Sequence, residues 1–409
     1  MPPKDVKNIL IEFVNAMPTY LMGPDRISYI LDNLERLTPE NRVALKNYVN
    51  RMLTSMIERN ASDIEIGGHG SGGYVWMRIF GRKERVKEYQ SLSSDEASLV
   101  IINLLNSHQR KLLGTDKNLD FSYTFLYERK NINLRFRADA YFDLDTLTLN
   151  MRAINSEIRS LDSYSFHPNV IKTLSHSYIK FGLTLITGIT GSGKSTTLDA
   201  IIDAHNKIDP AHIVIIASPI EYVHSSNVSI IKHREVGRDV LTFKDGVIQS
   251  LRQDPDIIII GEMRDPETIL AALEVTDTGH KVFSTLHTSS AVESIDRIVA
   301  EIHPTEQERV RNRLADVLVA IVSQKLVPSL DGERVLAKEV LIVTPSVRAA
   351  IKNNNTSEIY MMINQGGPQG MITMEQDLKR LYLEKKISLE NAIAYANNKT
   401  RIQQILSSI

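Results

Sequence analysis

Gly188-Ile-Thr-Gly-Ser-Gly-Lys-Ser195 is the segment of this chain whose residue types and spacing point most directly to chemistry. It matches G-x-x-x-x-G-K-[S/T], the pattern of a loop that wraps phosphate groups. Gly191 and Gly193 let the backbone curl so that amide N–H groups point at phosphate oxygens. A helix beginning at the end of the loop would add its positive pole. Lys194 would bind the β- and γ-phosphates and Ser195 would ligate Mg²⁺, with Gly188, Thr190, Ser192 and Thr196 completing the loop. The expected cofactors are therefore ATP and Mg²⁺. The competing reading is a glycine-rich turn with an exposed lysine; a strand pattern before the loop and a helix pattern after it favour the phosphate reading.

Three further polar positions fall at strand ends, where ligands gather in parallel sheets. The apolar run Ile257 to Ile260 ends in Gly261 and Glu262, which delivers a carboxylate beside the phosphate loop. Glu262 is the candidate catalytic group, against the alternative of a plain ion pair with Arg264 or Arg252. Glu221 follows the strand ending at Ala217, and His287 follows the strand from Val282. A lone Glu or His is more often a surface or satisfied core residue, so each counts only because all three share one sheet. His280 lies at the opposite end of its strand.

The elements that must position these groups are legible around them. Leu183 to Thr187, Ile213 to Ala217, Ile257 to Ile260 and Val282 to Thr285 are apolar runs suited to a sheet buried on both faces. Helical patterns, Thr196 to Asn206 and Pro266 to Asp277, alternate with them; Asp265 before Pro266 is a helix start signal. Helices then run to Ile409. Upstream, Asp63–Ile66, Val75–Phe80, Val86–Tyr89, Leu119–Tyr127, Ile132–Phe142 and Leu147–Ile154 read as strands, with one helix from Ser94 to about Leu113. Spacing before Asn60 is helical. The expected organisation is α/β, with a helical extension at 1–58, a small α+β domain at 59–158, a polar linker around 155–168 and an α/β nucleotide-binding domain at 165–409.

Composition narrows the classes. The 409 residues carry 48 Lys and Arg against 49 Asp and Glu, a net charge of −1, which disfavours binding driven by nucleic-acid backbones or anionic lipid. There is no cysteine, so this chain has no disulfide, thiolate nucleophile, iron–sulfur cluster or cysteine-ligated zinc. A cytosolic setting is the simplest fit. Charged residues near the start make a poor signal peptide, and no apolar stretch is long enough to span a membrane.

Taken with their surroundings, these residues resemble the secretion-type hexameric ATPases, most closely the PilT-type pilus retraction ATPases. Four boxes occur in family order: Gly188–Ser195, Ala217–Glu221, Leu251–Asp265 and Thr278–Thr288. The resemblance is weak before Arg135 and strong after Leu183. It implies a RecA-like P-loop ATPase domain preceded by a PAS-like domain, and six subunits in a ring. It makes Glu262 the general base for water, places Glu221 near Mg²⁺ and makes His287 a sensor of nucleotide state. Arg137, in the segment Arg135 to Ala140, and Arg152 match arginines that neutralise γ-phosphate charge. The implied activity is ATP hydrolysis powering pilus retraction and twitching motility, at the cytoplasmic face of the inner membrane. The implied partners are a platform protein there and a paralogous ATPase, with no nucleic acid. The sequence departs from the pattern in three places. Ala217 and Ser218 stand where the family has two carboxylates, Phe142 and Leu144 where it has a second arginine pair, and Ser346 to Ile351 keeps only Arg348 and the apolar frame of a retraction-linked motif. The alternatives are an accessory or non-catalytic ring subunit and a type II or type IV secretion ATPase. The missing cysteines speak against the zinc-bearing extension branch.

Overall fold

The computed structural model describes residues 4–127, 129, 132–154 and 158–407. The chain forms two compact units, Met1–Ser156 and Glu157–Ile409. The first three residues of the expected linker, 155–157, lie outside the described residues.

In the first unit, helices α1 (Lys4–Asn15), α2 (Pro24–Asn33) and α3 (Pro39–Glu58) precede β1 (Ala61–Gly67), β2 (Trp76–Ile79) and β3 (Arg82–Arg85). Helices α4 (Ser94–Ile102) and α5 (Ser107–Asp116) then lead to β4 (Asn118–Tyr127), β5 (Ile132–Asp143) and β6 (Thr146–Ala153). The six strands form one antiparallel sheet in the order β3-β2-β1-β6-β5-β4. Helices before residue 59 and strands after it share one core: Leu10, Ile30, Met52 and Leu53 belong to the same buried cluster as Ile64, Phe136 and Met151.

Two local expectations are corrected here. The third strand is Arg82–Arg85, upstream of the expected Val86–Tyr89, because Phe80 and Gly81 both take positive φ and close a tight turn that pairs Ile79 with Arg82. The single helix expected from Ser94 is two helices. Asn106 caps the second with a reciprocal side-chain pair to Gln109, and a residue making that cap ends the preceding helix. The first starts at Ser94; its cap is Ser93, where the sequence suggests Ser94 itself.

The second unit begins with α6 (Pro168–Leu174), then alternates β7 (Gly182–Thr187), α7 (Lys194–Ile208), β8 (His212–Ala217), β9 (Ile230–Glu235), α8 (Phe243–Ser250), β10 (Ile257–Ile260), α9 (Pro266–Asp277), β11 (Lys281–Leu286), α10 (Ala291–Ala300) and α11 (Gln307–Val317). A pair of strands, β12 (Leu318–Pro328) and β13 (Arg334–Ile342), comes before the helices α12 (Pro345–Lys352), α13 (Ile359–Gln365), α14 (Met374–Leu383), α15 (Leu389–Tyr395) and α16 (Lys399–Ser407). The sequence reading had helices alone after β11, and the two strands correct it. The seven-stranded sheet runs β13-β12-β7-β11-β10-β8-β9, parallel except for β13. Alternation along β10 explains why the central strands are apolar throughout. Ile258 and Ile260 face one core and Ile257 and Ile259 face the other. A third cluster, containing Leu378, Leu381, Ala392 and Ile402, holds the last helices together. No described helix is long and apolar enough to cross a membrane.

Candidate nucleotide site

β7 is buried along its whole length and ends at Thr187. The next six residues turn back, and α7 starts at Lys194 with Gly193 as its cap at φ +86°. Glycine is required at Gly188 on two counts. Its φ is +152°, and a Cβ there would lie 2.3 Å from Ser192 Oγ and 2.5 Å from the Gln324 carbonyl. Lys194 folds back into the loop and donates to the carbonyls of Gly188, at 2.8 Å, and Ile189, at 3.2 Å. Burial pushes its pKa down, and the charges of Glu262 and Glu221 push it back up. A buried ammonium hydrogen-bonded to neutral carbonyls is well placed to exchange them for phosphate oxygens, which bring charge as well as lone pairs. Ser195, in the first turn of α7, is half-buried.

The two carboxylates that act on Lys194 arrive from neighbouring strands. β8 and β10 are paired, and the Gly261 N–H donates to the Ile216 carbonyl at 2.7 Å. Ala217 packs against Gly261 so closely that a Cβ on Gly261 would lie 3.0 Å from that of Ala217. Small residues at both positions thus bring the two strand ends together. The Glu262 loop is held from β11: Thr285 Oγ1 donates to the Gly261 carbonyl at 2.6 Å, and the Met263 N–H reaches the Thr285 carbonyl. Glu262 lies 2.7 Å from the exposed Arg264 and 3.6 Å from His287 Nε2. Burial, then the positive charge of Lys194, lowers the His287 pKa, which favours the neutral ring beside Glu262. Lys194, Glu262, Glu221 and His287 are therefore electrostatic neighbours at one end of one sheet.

His280 is not part of this group. Its ring engages Thr278 and the Val275 carbonyl at the far end of β11. Arg137 and Arg152 stand opposite each other on β5 and β6 of the first unit. Each is held by a carboxylate: Arg137 by Asp120 at 2.6 Å, and Arg152 by Asp63 at 2.8 Å.

The sequence reading missed Gln324, which braces the phosphate loop from β12. Its amide donates to the Ser192 carbonyl at 2.8 Å, and its carbonyl accepts from Thr197 at 3.0 Å. Both contacts are buried. One side chain thereby ties the loop to the first turn of α7. Gln324→Leu leaves the Ser192 carbonyl and the Thr197 hydroxyl without these partners, at a cost of about 2–4 kcal/mol. Thermal melting with and without nucleotide is expected to show a lower Tm and a reduced nucleotide-induced shift. An unchanged shift would mean that the brace does not shape the loop.

With the geometry in view, comparison with known proteins places the chain. The type II/IV secretion system protein family model matches residues 39–405. This chain belongs to that family. It is 39% identical over 323 residues to a twitching motility protein of Neisseria gonorrhoeae, covering 79% of this chain and 84% of that protein. It is 37% identical over 344 residues to the type IV pilus retraction ATPase PilT of Pseudomonas aeruginosa, covering 84% of this chain and 96% of PilT. Among solved structures, the pilus retraction motor PilT with bound ADP superposes with a TM-score of 0.76 at 35% identity, covering 86% of this chain and 98% of that one. The fold is α/β with a RecA-like ATPase domain, and the chain is of the PilT type.

Proposed function

We propose that this chain is a Mg²⁺-dependent ATPase motor that works as a six-membered ring and powers the retraction of type IV pili. The observation that carries the reading is the meeting of Lys194, in a phosphate loop, with Glu262 and Glu221 on adjacent strand ends. Relatives bearing the names of a twitching motility protein and a pilus retraction ATPase support the biological assignment.

Gly188 to Thr196 cradle the phosphates in this scheme, and Lys194 transfers its ammonium from the loop carbonyls to the β- and γ-phosphates. Among the described residues no group of three or more Asp, Glu or His side chains forms a metal cage. A nucleotide-borne Mg²⁺ would be held by Ser195 Oγ together with phosphate oxygens and water, a donor set this ion prefers. When bound it neutralises charge between phosphates. Glu262 accepts the proton of the attacking water, Glu221 orients that water or the Mg²⁺ shell, and His287 reads the state of the site through Glu262. Arg137 and Arg152 supply further positive charge once released from Asp120 and Asp63. The ring acts at the cytoplasmic face of the inner membrane, on a platform protein, and a paralogous ATPase is a further partner.

Deleting the gene in its host is the direct test. Excess surface pili with no twitching supports retraction. Absence of pili assigns the motor to assembly and overturns the reading. Intact pili with loss of a secreted protein identifies a secretion ATPase instead. One observation favours a second reading: Ala217 and Ser218 occupy the places of two family carboxylates. If that loss is decisive, the purified chain binds ATP and does not turn it over, as an accessory ring subunit would.

A further inference from the structure

The loop from His287 to Ser290 joins β11 to α10 and carries the residue that touches Glu262. Part of its bonding is local. Ser289 N–H donates to Glu293 at 2.7 Å, and the hydroxyls of Thr288 and Ser294 lie 2.6 Å apart. The rest comes from a distance. Asn397, between α15 and α16, donates its amide to the Ser289 carbonyl at 3.2 Å. Glu339 on β13, almost wholly buried, accepts from the Ala291 N–H at 2.8 Å. Lys325 on β12 joins these two contacts. Its ammonium donates to the Tyr395 carbonyl at 2.8 Å and to Asn397 Oδ1 at 2.6 Å, and it feels the charges of Glu375, Glu339 and Glu293. Glu375, fully buried on α14, accepts from Tyr360 Oη at 3.1 Å and from the Asn398 N–H at 2.8 Å. Arg401 lies over the Tyr360 ring.

A polar network of this kind, anchored on the buried Glu339 and Glu375, rigidifies what it holds. Its placement here is specific. It grips the backbone on the C-terminal side of His287 at two points, one from the sheet and one from the terminal helices. Local capping by Ser290 and Glu293 would be enough to start α10 without it.

We infer that Glu339, Lys325 and Asn397 are positioning residues for His287: through them, the seating of the C-terminal helices sets the geometry of the Glu262–His287 pair. The inference rests on the motor reading above and adds to it the structural route by which a push on the last helices reaches the hydrolytic site. Asn397 is exposed, so Asn397→Ala removes the grip on Ser289 without opening the core. Glu339→Leu removes the grip on Ala291, while Glu339→Gln keeps an acceptor oxygen there.

The experiment measures steady-state ATP turnover together with nucleotide affinity and amide hydrogen exchange on the full chain. Asn397→Ala and Glu339→Leu are expected to lower kcat about 10-fold, with KM and nucleotide Kd changed less than twofold, and to speed exchange at Ser289 and Ala291. Glu339→Gln is expected to restore most of kcat. Wild-type kcat in folded Asn397→Ala, or a rise in KM that accounts for the whole loss, overturns the inference. If the wild-type chain has no turnover, the motor reading fails by itself. The exchange measurement still decides whether the network holds the loop: unchanged exchange at Ser289 and Ala291 in both variants overturns it.

Discussion

Lys194→Ala is expected to cut ATP turnover by a factor of about 10²–10³, the loss typical of one preorganised charge contact in a transition state. Nucleotide binding should weaken with it. The argument starts from where the ammonium sits. It lies inside the loop, desolvated, on the carbonyls of Gly188 and Ile189, with two carboxylates near enough to oppose the depression of its pKa. A phosphate chain in the loop replaces neutral acceptors with charged ones, so the lysine interacts more strongly with bound nucleotide than with the empty loop. Charge on the γ-phosphate shifts further during transfer, so part of the loss appears in kcat as well as in KM. Alanine also frees the two carbonyls, which point at the approaching anion and add to the penalty. Phosphate release under saturating ATP, paired with a nucleotide titration, separates the two effects. Turnover within tenfold of wild type would remove the phosphate loop from the mechanism.

Much of this site was legible because its signals are local. The phosphate loop needs glycines at fixed spacing, and the helix start at Asp265–Pro266 needs two adjacent residues. The runs ending at Thr187 and Ile260 are apolar because both of their faces are buried. The parts that escaped are those whose logic is tertiary. Gln324 is 132 residues from the Ser192 carbonyl it braces, and nothing in its own neighbourhood marks it. β9, β12 and β13 contain Lys232, Arg234, Gln324, Lys325, Lys338 and Glu339, which break the apolar pattern of a strand. They are strands because their backbones pair within the sheet, while polar groups such as Gln324, Lys325 and Glu339 find partners in the loops and helices beside it. Val86 to Tyr89 has the β character of a strand, while the turn at Phe80 and Gly81 fixes the pairing at Arg82–Arg85 instead. Arg137 and Arg152 were visible as a cationic pair; the carboxylates that hold them, Asp120 and Asp63, lie on other strands and were not.

Glu262→Gln separates the two things this carboxylate does. In the structure it is an ion-pair partner, 2.7 Å from Arg264 and near His287, and its side chain is only 18% exposed. In the proposed chemistry it is also the group that takes a proton from water. Glutamine has the same shape and can still accept from Arg264, so the fold and the approach of the two strand ends should survive. It cannot accept a proton at the pH of the assay. If Glu262 were only a structural anchor for Arg264, the substitution would cost little: an exposed arginine pair contributes roughly 0–1 kcal/mol, and kcat would stay near wild type. If it is the base, kcat should fall about 10²–10⁴-fold. ATP affinity should hold or tighten, because one negative charge beside the phosphate site is gone while Lys194 and the loop remain. The decisive measurement is a single turnover with bound ATP. Stoichiometric, long-lived ATP on Glu262→Gln identifies a base, whereas brisk phosphate release from the same complex leaves Glu262 as an anchor and transfers the search for the base to Glu221.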